Sequence, residues 1–263
     1  MKALAMLINA GADIHAPNDD GETPLLSAAK AGSPAIVLWL IKLGASASIC
    51  DSTGHSPLHF ASHLVEHVEG PEALKALVAA GGDIHAQNEH GKTPLFMAAQ
   101  AGSPAAVFLL LESGSSPSSK THSGDYPLHW AVYSLHTSVI STLVHAGAQI
   151  DAAGANGESP LHWAAAIGAL HAAQALLELG ANPDACDEHG QTPIHHAIRK
   201  LQPHQATGMV SLLLERGSDM DATDHGKQTP LHYCISLCSV SAAHKLLEYG
   251  AKVCIIFIGF KQL

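Results

Sequence analysis

Seven near-copies of the tetrapeptide Thr-Pro-Leu-His punctuate the chain at an almost constant spacing. They are Thr23-Pro24-Leu25-Leu26, Ser56-Pro57-Leu58-His59, Thr93-Pro94-Leu95-Phe96, Tyr126-Pro127-Leu128-His129, Ser159-Pro160-Leu161-His162, Thr192-Pro193-Ile194-His195 and Thr229-Pro230-Leu231-His232. Their first residues lie 33, 37, 33, 33, 33 and 37 positions apart. A second marker, a glycine closing a Leu-rich run, keeps the same rhythm at Gly11, Gly44, Gly81, Gly114, Gly147, Gly180, Gly217 and Gly250. Two unrelated markers sharing one period, and sharing the same four-residue insertions, define a repeat protein. A period of this length implies a stacked solenoid, in which each unit buries its apolar face only against its neighbours. Protein binding is the default function of such an array.

The period overrides the one or two globular domains that 263 residues would otherwise suggest. Hydrophobic residues make up 47% of the chain and charged ones 14%, so a core is available, built mostly from Ala, Leu and Ile. The formal charge is −10 with no Lys/Arg cluster, which argues against nucleic acid or an anionic membrane as partner. No apolar run reaches the roughly 20 residues of a membrane span. The stretch from Lys2 to Ala10 superficially resembles a signal peptide. It repeats the pattern of 73–88, however, including Asp-Ile-His-Ala at 13–16 and 83–86, so it is read as repeat material. The five cysteines, Cys50, Cys186, Cys234, Cys238 and Cys254, lack a disulfide spacing and suit a reducing compartment, so an intracellular protein, cytoplasmic or nuclear, is expected.

The fifth repeat is the cleanest. Gly157 opens a turn, Ser159 is an N-cap candidate and Pro160 fits the first helical position, where its missing N–H costs nothing. Leu161, Ala164 and Ala165 then share one helical face, and Gly168 ends the helix. A second helix starts near Leu170, turns Leu176 and Leu177 inward and stops at Gly180. The two insertions fall near His67–Pro71 and Gln202–Ala206, where they are expected to lengthen the link between helices. Repeats one and three share Ala-Gly-Ser-Pro-Ala at 31–35 and 101–105, which points to duplication of a two-repeat block.

Signature, period and terminal Gly-Ala together resemble the ankyrin repeat family over residues 3–252. The resemblance implies an all-α solenoid of stacked β-turn/helix-turn-helix units. These are a leading half unit at 1–17 and full units at about 18–50, 51–87, 88–120, 121–153, 154–186, 187–222 and 223–253. It also implies that the signature histidines His59, His129, His162, His195 and His232 hydrogen-bond backbone within and between units. Leu26, Phe96 and Tyr126 depart from the signature and are expected to weaken it locally.

No phosphate loop, nucleophile elbow or His-Glu-x-x-His motif is present, so no catalytic residue or cofactor is assigned. Twenty histidines invite a metal reading, but four convergent ligands are not in evidence. His195 and His196 are adjacent and project apart, and Cys234 and Cys238 share a helix face at i, i+4 with Cys234 in a small-residue slot. No metal site is expected. In ankyrin-like stacks, partners touch the turn tips and the concave inner-helix face. The residues so placed are Asp19, Asp20, Glu22, His55, Glu89, His90, Lys92, His122, Asp125, Trp130, Tyr133, Asn156, Glu158, Trp163, Glu188, His189, Asp224 and His225. That row is largely acidic with interspersed His, which suits a protein partner with a basic and apolar segment. The alternative is a regulatory segment of a larger enzyme whose catalytic domain lies outside the chain.

Residues 254–263 break the pattern: the array predicts a polar turn, and the chain gives Cys-Ile-Ile-Phe-Ile-Gly-Phe-Lys-Gln-Leu. This atypical apolar tail reads as foreign to the array, of the kind an unspliced intron would encode. Deleting it is expected to leave the thermal transition of the array intact, and unfolding of the last repeat on deletion would overturn that reading.

Overall fold

Each repeat's first helical segment opens on an extended Ser, Thr or Tyr followed by proline. The cap residues Thr23, Thr93, Ser159, Thr192 and Thr229 all have ψ near 165° (162 to 167°), and a proline occupies the first helical position behind each. A computed structural model describes residues 10–253 together with Met6. Most of the expected leading helix and the apolar tail 254–263 lie outside the described residues. Among the described residues all regular structure is helical.

The chain divides into two compact units, 1–155 and 156–263. In the first, helices come in antiparallel pairs: α1 (Pro24–Lys30) with α2 (Pro34–Lys42), and α3 (Ala61–Val65) with α4 (Gly70–Ala79). Next come α5 (Pro94–Ala101) with α6 (Pro104–Glu112), then α7 (Pro127–Tyr133) with α8 (Thr137–His145). A 3₁₀ turn at Pro57–Phe60 precedes α3. First helices pack on first helices (α5 on α7) and second on second (α2 on α4, α6 on α8). The second unit holds α9 (Pro160–Ile167) with α10 (Leu170–Glu178), α11 (Pro193–Lys200) with α12 (Pro203–Glu215), and α13 (Pro230–Ser236) with α14 (Val240–Glu248). There α9 packs on α11 and α11 on α13, while α10 packs on α12 and α12 on α14.

Helices of seven to nine residues are marginal alone, so packing must hold them. Ala29, Ala61, Ala99 and Ala131 of the first unit, and Ala164 and Ala197 of the second, are fully buried and let neighbouring backbones approach closely. The second helices fill the remaining core with Val37, Leu40, Leu74, Leu77, Leu110 and Ile140, and in the second unit with Leu176, Val210, Leu213 and Leu246. Each such side chain contributes about 1.5–3 kcal/mol of transfer free energy.

The insertions behave differently from the expected longer links. At Gln202–Ala206 the extra residues are helical: Gln202 takes an extended cap conformation, Pro203 starts α12, and the helix runs thirteen residues with Ala206 buried. At His67–Pro71 only Glu66–Glu69 remain a loop, and Gly70 begins α4. A Cβ on Gly70 would meet the Leu64 carbonyl oxygen at 2.1 Å, so glycine is required for this close crossing of backbones.

The signature histidines join the repeats. Nδ1 of His59, His162, His195 and His232 accepts from the cap residue's backbone N–H at 2.9, 3.1, 3.1 and 3.0 Å. The proton therefore sits on Nε2, which donates to the next repeat's carbonyl: His59 to Lys92 O (3.0 Å), His162 to Gln191 O (2.9 Å), His195 to Gln228 O (3.1 Å). Where the signature is broken, Thr23 and Thr93 accept through Oγ1 from the N–H of Leu26 and Phe96, both at 3.3 Å, and those two side chains are buried core. Tyr126 retains a longer 3.4 Å bond to His129 and stacks on its ring.

Burial pushes the His59 imidazole down to about 4 from 6.5, and it lowers His195 as well. Above pH about 6.5 these rings are neutral in both folded and unfolded chain; below it the unfolded chain takes up protons that the fold refuses. Stability should therefore fall from pH about 6.5 toward about 4, by about 1.4 kcal/mol per unit of difference in pKa. His59→Leu should cost about 1–3 kcal/mol near neutral pH, through the orphaned carbonyl and N–H. It should also make the acid-side loss shallower in urea unfolding; an unchanged slope would show that His59 does not carry it.

Candidate functional site

In five repeats the turn tip is built by the residue five places before the cap. Asn18, Asp51, Asn88, Asp187 and Asp224 fold back so that Oδ1 accepts a backbone N–H four residues on: Glu22 (2.8 Å), His55 (2.8 Å), Lys92 (3.0 Å), Gln191 (2.8 Å) and Gln228 (2.8 Å). Successive tips are then joined by one main-chain bond each. In the first unit these are Ser52 N–H to Asp20 O, Glu89 N–H to Thr53 O and His122 N–H to His90 O, all at 3.0 Å. In the second unit Glu188 N–H meets Asn156 O at 3.0 Å and His225 N–H meets His189 O at 2.9 Å. The residues between the anchors are thereby pushed outward.

Asp19, Asp20, Glu89, His90, His122, Tyr133, Asn156, Glu188, His189 and His225 are exposed. Glu22, His55, Lys92, Trp130, Glu158, Trp163 and Asp224 are half-buried. Asp125, placed with the tips from its position in the sequence, is buried, because its carboxylate accepts from Ser123 Oγ (2.9 Å) and Ala155 N–H (3.1 Å). Glu22 faces inward to Lys30 and is held below the usual carboxylate range by that hydrogen bond. Exposed tips pair Glu with His in both units, Glu89 with His90 at 3.6 Å and Glu188 with His189 at 3.7 Å. In the first unit a recess of about 270 Å³ brings together Glu89, His90, Lys92, His122 and Trp130.

Behind the tips lies a recurring socket. The residue just before a cap reaches forward to the residue after the next signature position. Lys92 places Nζ 4.5 Å from the Trp130 ring and donates to Gln100 (3.0 Å); burial pushes its amine below the usual lysine range. Gln191 donates to Tyr233 Oη (3.0 Å), which donates to Asp224 (2.7 Å), and burial with that carboxylate raises the phenol to about 12. In the preceding socket of the second unit the occupants are Glu158, His196 and Asp187: Nε2 of His196 lies 2.9 Å from Asp187 Oδ2, and Nδ1 lies 4.0 Å from Glu158 Oε1.

The profile described as "Ankyrin repeats (3 copies)" matches residues 63–154 and 161–256, and "Ankyrin repeats (many copies)" matches 7–61. The chain belongs to the ankyrin repeat family. Among solved structures it is similar to the ankyrin repeat domain of Bcl-3, with a TM-score of 0.72 and 28% identity over 88% of this chain and all of that one. Among curated proteins it is 34% identical to ankyrin repeat domain-containing protein 37 of Bos taurus over 103 residues, 39% of this chain and 63% of that protein. It is 33% identical to the phosphocholine transferase AnkX of Legionella pneumophila over 94 residues, 35% of this chain and 10% of that protein. The chain thus spans under two thirds of the curated relatives it matches. No helix among the described residues is long and apolar enough to cross a membrane.

Ankyrin repeats are a protein-interaction fold, and the tips and sockets are what vary on this one. In the sequence His196 invites comparison only with its neighbour His195, yet it stands where other repeats carry Phe60, Trp130, Trp163 and Tyr233. Its neighbour His195 points elsewhere, to Gln228 O, so the two do not chelate together. His196 instead hydrogen-bonds Asp187 of its own repeat and lies 4.0 Å from Glu158 of the preceding one, a neighbourhood that only the period of the array could have disclosed. Cys234 and Cys238 do not share a helix face: α13 ends at Ser236, and Cys238 sits beyond it at φ 54°. Burial raises the Cys234 thiol to about 12.

Trp163 is half-buried and its indole faces the Glu158 carboxylate, so it serves as packing and as surface together. Trp163→Ala should therefore cost about 2 kcal/mol, less than the ~3–5 kcal/mol of a fully buried ring. Chemical unfolding measures this; a loss above about 4 kcal/mol would make the ring core alone.

Proposed function

We propose that this ankyrin array is a non-catalytic recognition module, acting as scaffold, adaptor or inhibitor. It grips an extended protein segment carrying basic and apolar residues through its turn tips and the exposed face of its first helices. The recess at Glu89, His90, Lys92, His122 and Trp130, where Lys92 already lies over the indole, supports this most directly. There an aromatic floor lies beside exposed acidic and imidazole groups, a combination that suits an apolar side chain flanked by a cation. The acidic tips Asp19, Asp20, Glu89 and Glu188 would steer such a segment during encounter. Among the described residues the four cysteines are free, three of them exposed, which supports a reducing, intracellular setting.

A second reading makes the array a targeting or regulatory segment of a larger enzyme. It is favoured by AnkX, a phosphocholine transferase of which only a tenth resembles this chain. A transcript that joins this array to a catalytic domain would establish it.

The primary reading is tested by installing a photo-crosslinking residue at His122, with another on the second helices at Lys75 as control, and identifying captured proteins by mass spectrometry. Capture from His122 alone is expected. With that partner, D19K/D20K/E89K should slow association about tenfold at low ionic strength and flatten its salt dependence. Glu22 is left intact because it pairs with Lys30. An unchanged association rate would overturn the steering role.

A further inference from the structure

Asp187 makes an unusual demand on His196. Its Oδ1 accepts from the N–H groups of both His189 and Gln191, each at 2.8 Å, a two-donor cradle that favours the ionised carboxyl. It is therefore a carboxylate and can only accept. The proton shared over the 2.9 Å contact must then belong to His196 Nε2, which leaves the lone pair on Nδ1. The His196 side chain is fully buried, and Nδ1 has no hydrogen-bond partner among the described residues. It is aimed at Glu158 Oε1, 4.0 Å away. Two acceptors face one another, and a second carboxylate lies behind the ring. One ligand atom from each of Glu158, Asp187 and His196 falls within 4.8 Å of the others.

We propose that this socket binds a divalent first-row transition ion, with His196 Nδ1 and Glu158 as direct ligands and solvent completing the shell. Asp187 is the positioning residue: it fixes the tautomer and ring orientation, as carboxylates behind metal-bound histidines do. The separation suits this role. Metal–nitrogen and metal–oxygen bonds of about 2.0–2.2 Å bring two ligands to roughly 3–3.5 Å of each other. Glu158, half-buried at the surface end, closes the difference by a small swing. Charge also matches, since two carboxylates and a neutral imidazole complement a dication. Arg199 and Lys200, both exposed, act on Glu158 from the solvent side. Such an ion would tie the turn before α9 to α11, a clasp between two adjacent repeats within the second compact unit.

The following socket supplies a control. Gln191 and Tyr233 stand where Glu158 and His196 do, beside Asp224 in the role of Asp187, and that arrangement is hydrogen-bonded without an ion. E158Q/H196Y therefore installs a combination this fold already accepts.

Protein stripped with EDTA is titrated with ZnCl2 by calorimetry, and with CoCl2 while the visible cobalt bands are recorded. Wild type is expected to take up one saturable equivalent more than E158Q/H196Y, with cobalt bands absent from the variant. Should the double variant fail to fold, E158Q alone, at a partly exposed position, gives the same comparison. D187N, which replaces the acceptor with an amide able to donate to Nε2, should weaken binding about ten- to a hundredfold while leaving both ligands in place. Equal uptake by wild type and variant would assign the ions to exposed histidines and overturn the proposal. No saturable uptake by wild type would assign the gap to a proton or water, and would overturn it equally.

Discussion

The joints between repeats depend chiefly on a neutral imidazole that must stay uncharged. The signature histidine receives its own repeat's cap N–H on one nitrogen and offers the other to a carbonyl one repeat further on. One ring thus fixes where a helix begins and where the next tip must lie. Burial makes the arrangement strict, because a second proton would leave the cap N–H facing another donor. Leu26 and Phe96 show the price of omission: Thr Oγ1 still caps the helix, but their side chains cannot reach a neighbouring carbonyl.

Given that bond, the remaining architecture follows from size. Helices of two turns cannot persist alone, and fully buried alanines let each be supported by its neighbour. The tips follow from the helices. In five repeats an Asx residue closes the turn, within each unit one main-chain hydrogen bond ties a tip to the next, and the exposed side chains between face solvent. On the proposed reading recognition falls to residues that contribute little to folding, so partner specificity could change without disturbing the stack.

Fold and repeat plan were legible in the sequence because period, cap and helix stop are local signals. Pro160, Gly168 and the start at Leu170 needed no tertiary knowledge. What escaped was non-local. Asp125 looks like any tip residue until Ala155 N–H is placed beside it. The residues at Gln202–Ala206 look like loop, yet Pro203 can begin a helix as well as break one, and Ala206 found a buried place. Cys238 seemed to continue a helix that ends at Ser236. His196 was read against its neighbour in sequence, when its company comes from 9 positions before (Asp187) and from the preceding repeat (Glu158).

The sockets bear on how such arrays are inherited. Each spans two repeats, and in the second unit each takes a side chain from one repeat and two from the next, as Gln191 meets Asp224 and Tyr233. Copying a single repeat therefore severs every socket it touches and recombines the halves. Copying two in tandem carries one socket whole. The shared Ala-Gly-Ser-Pro-Ala of repeats one and three is the pattern a two-repeat step of this kind would leave. In such a lineage the smallest heritable piece of binding surface is the seam between repeats.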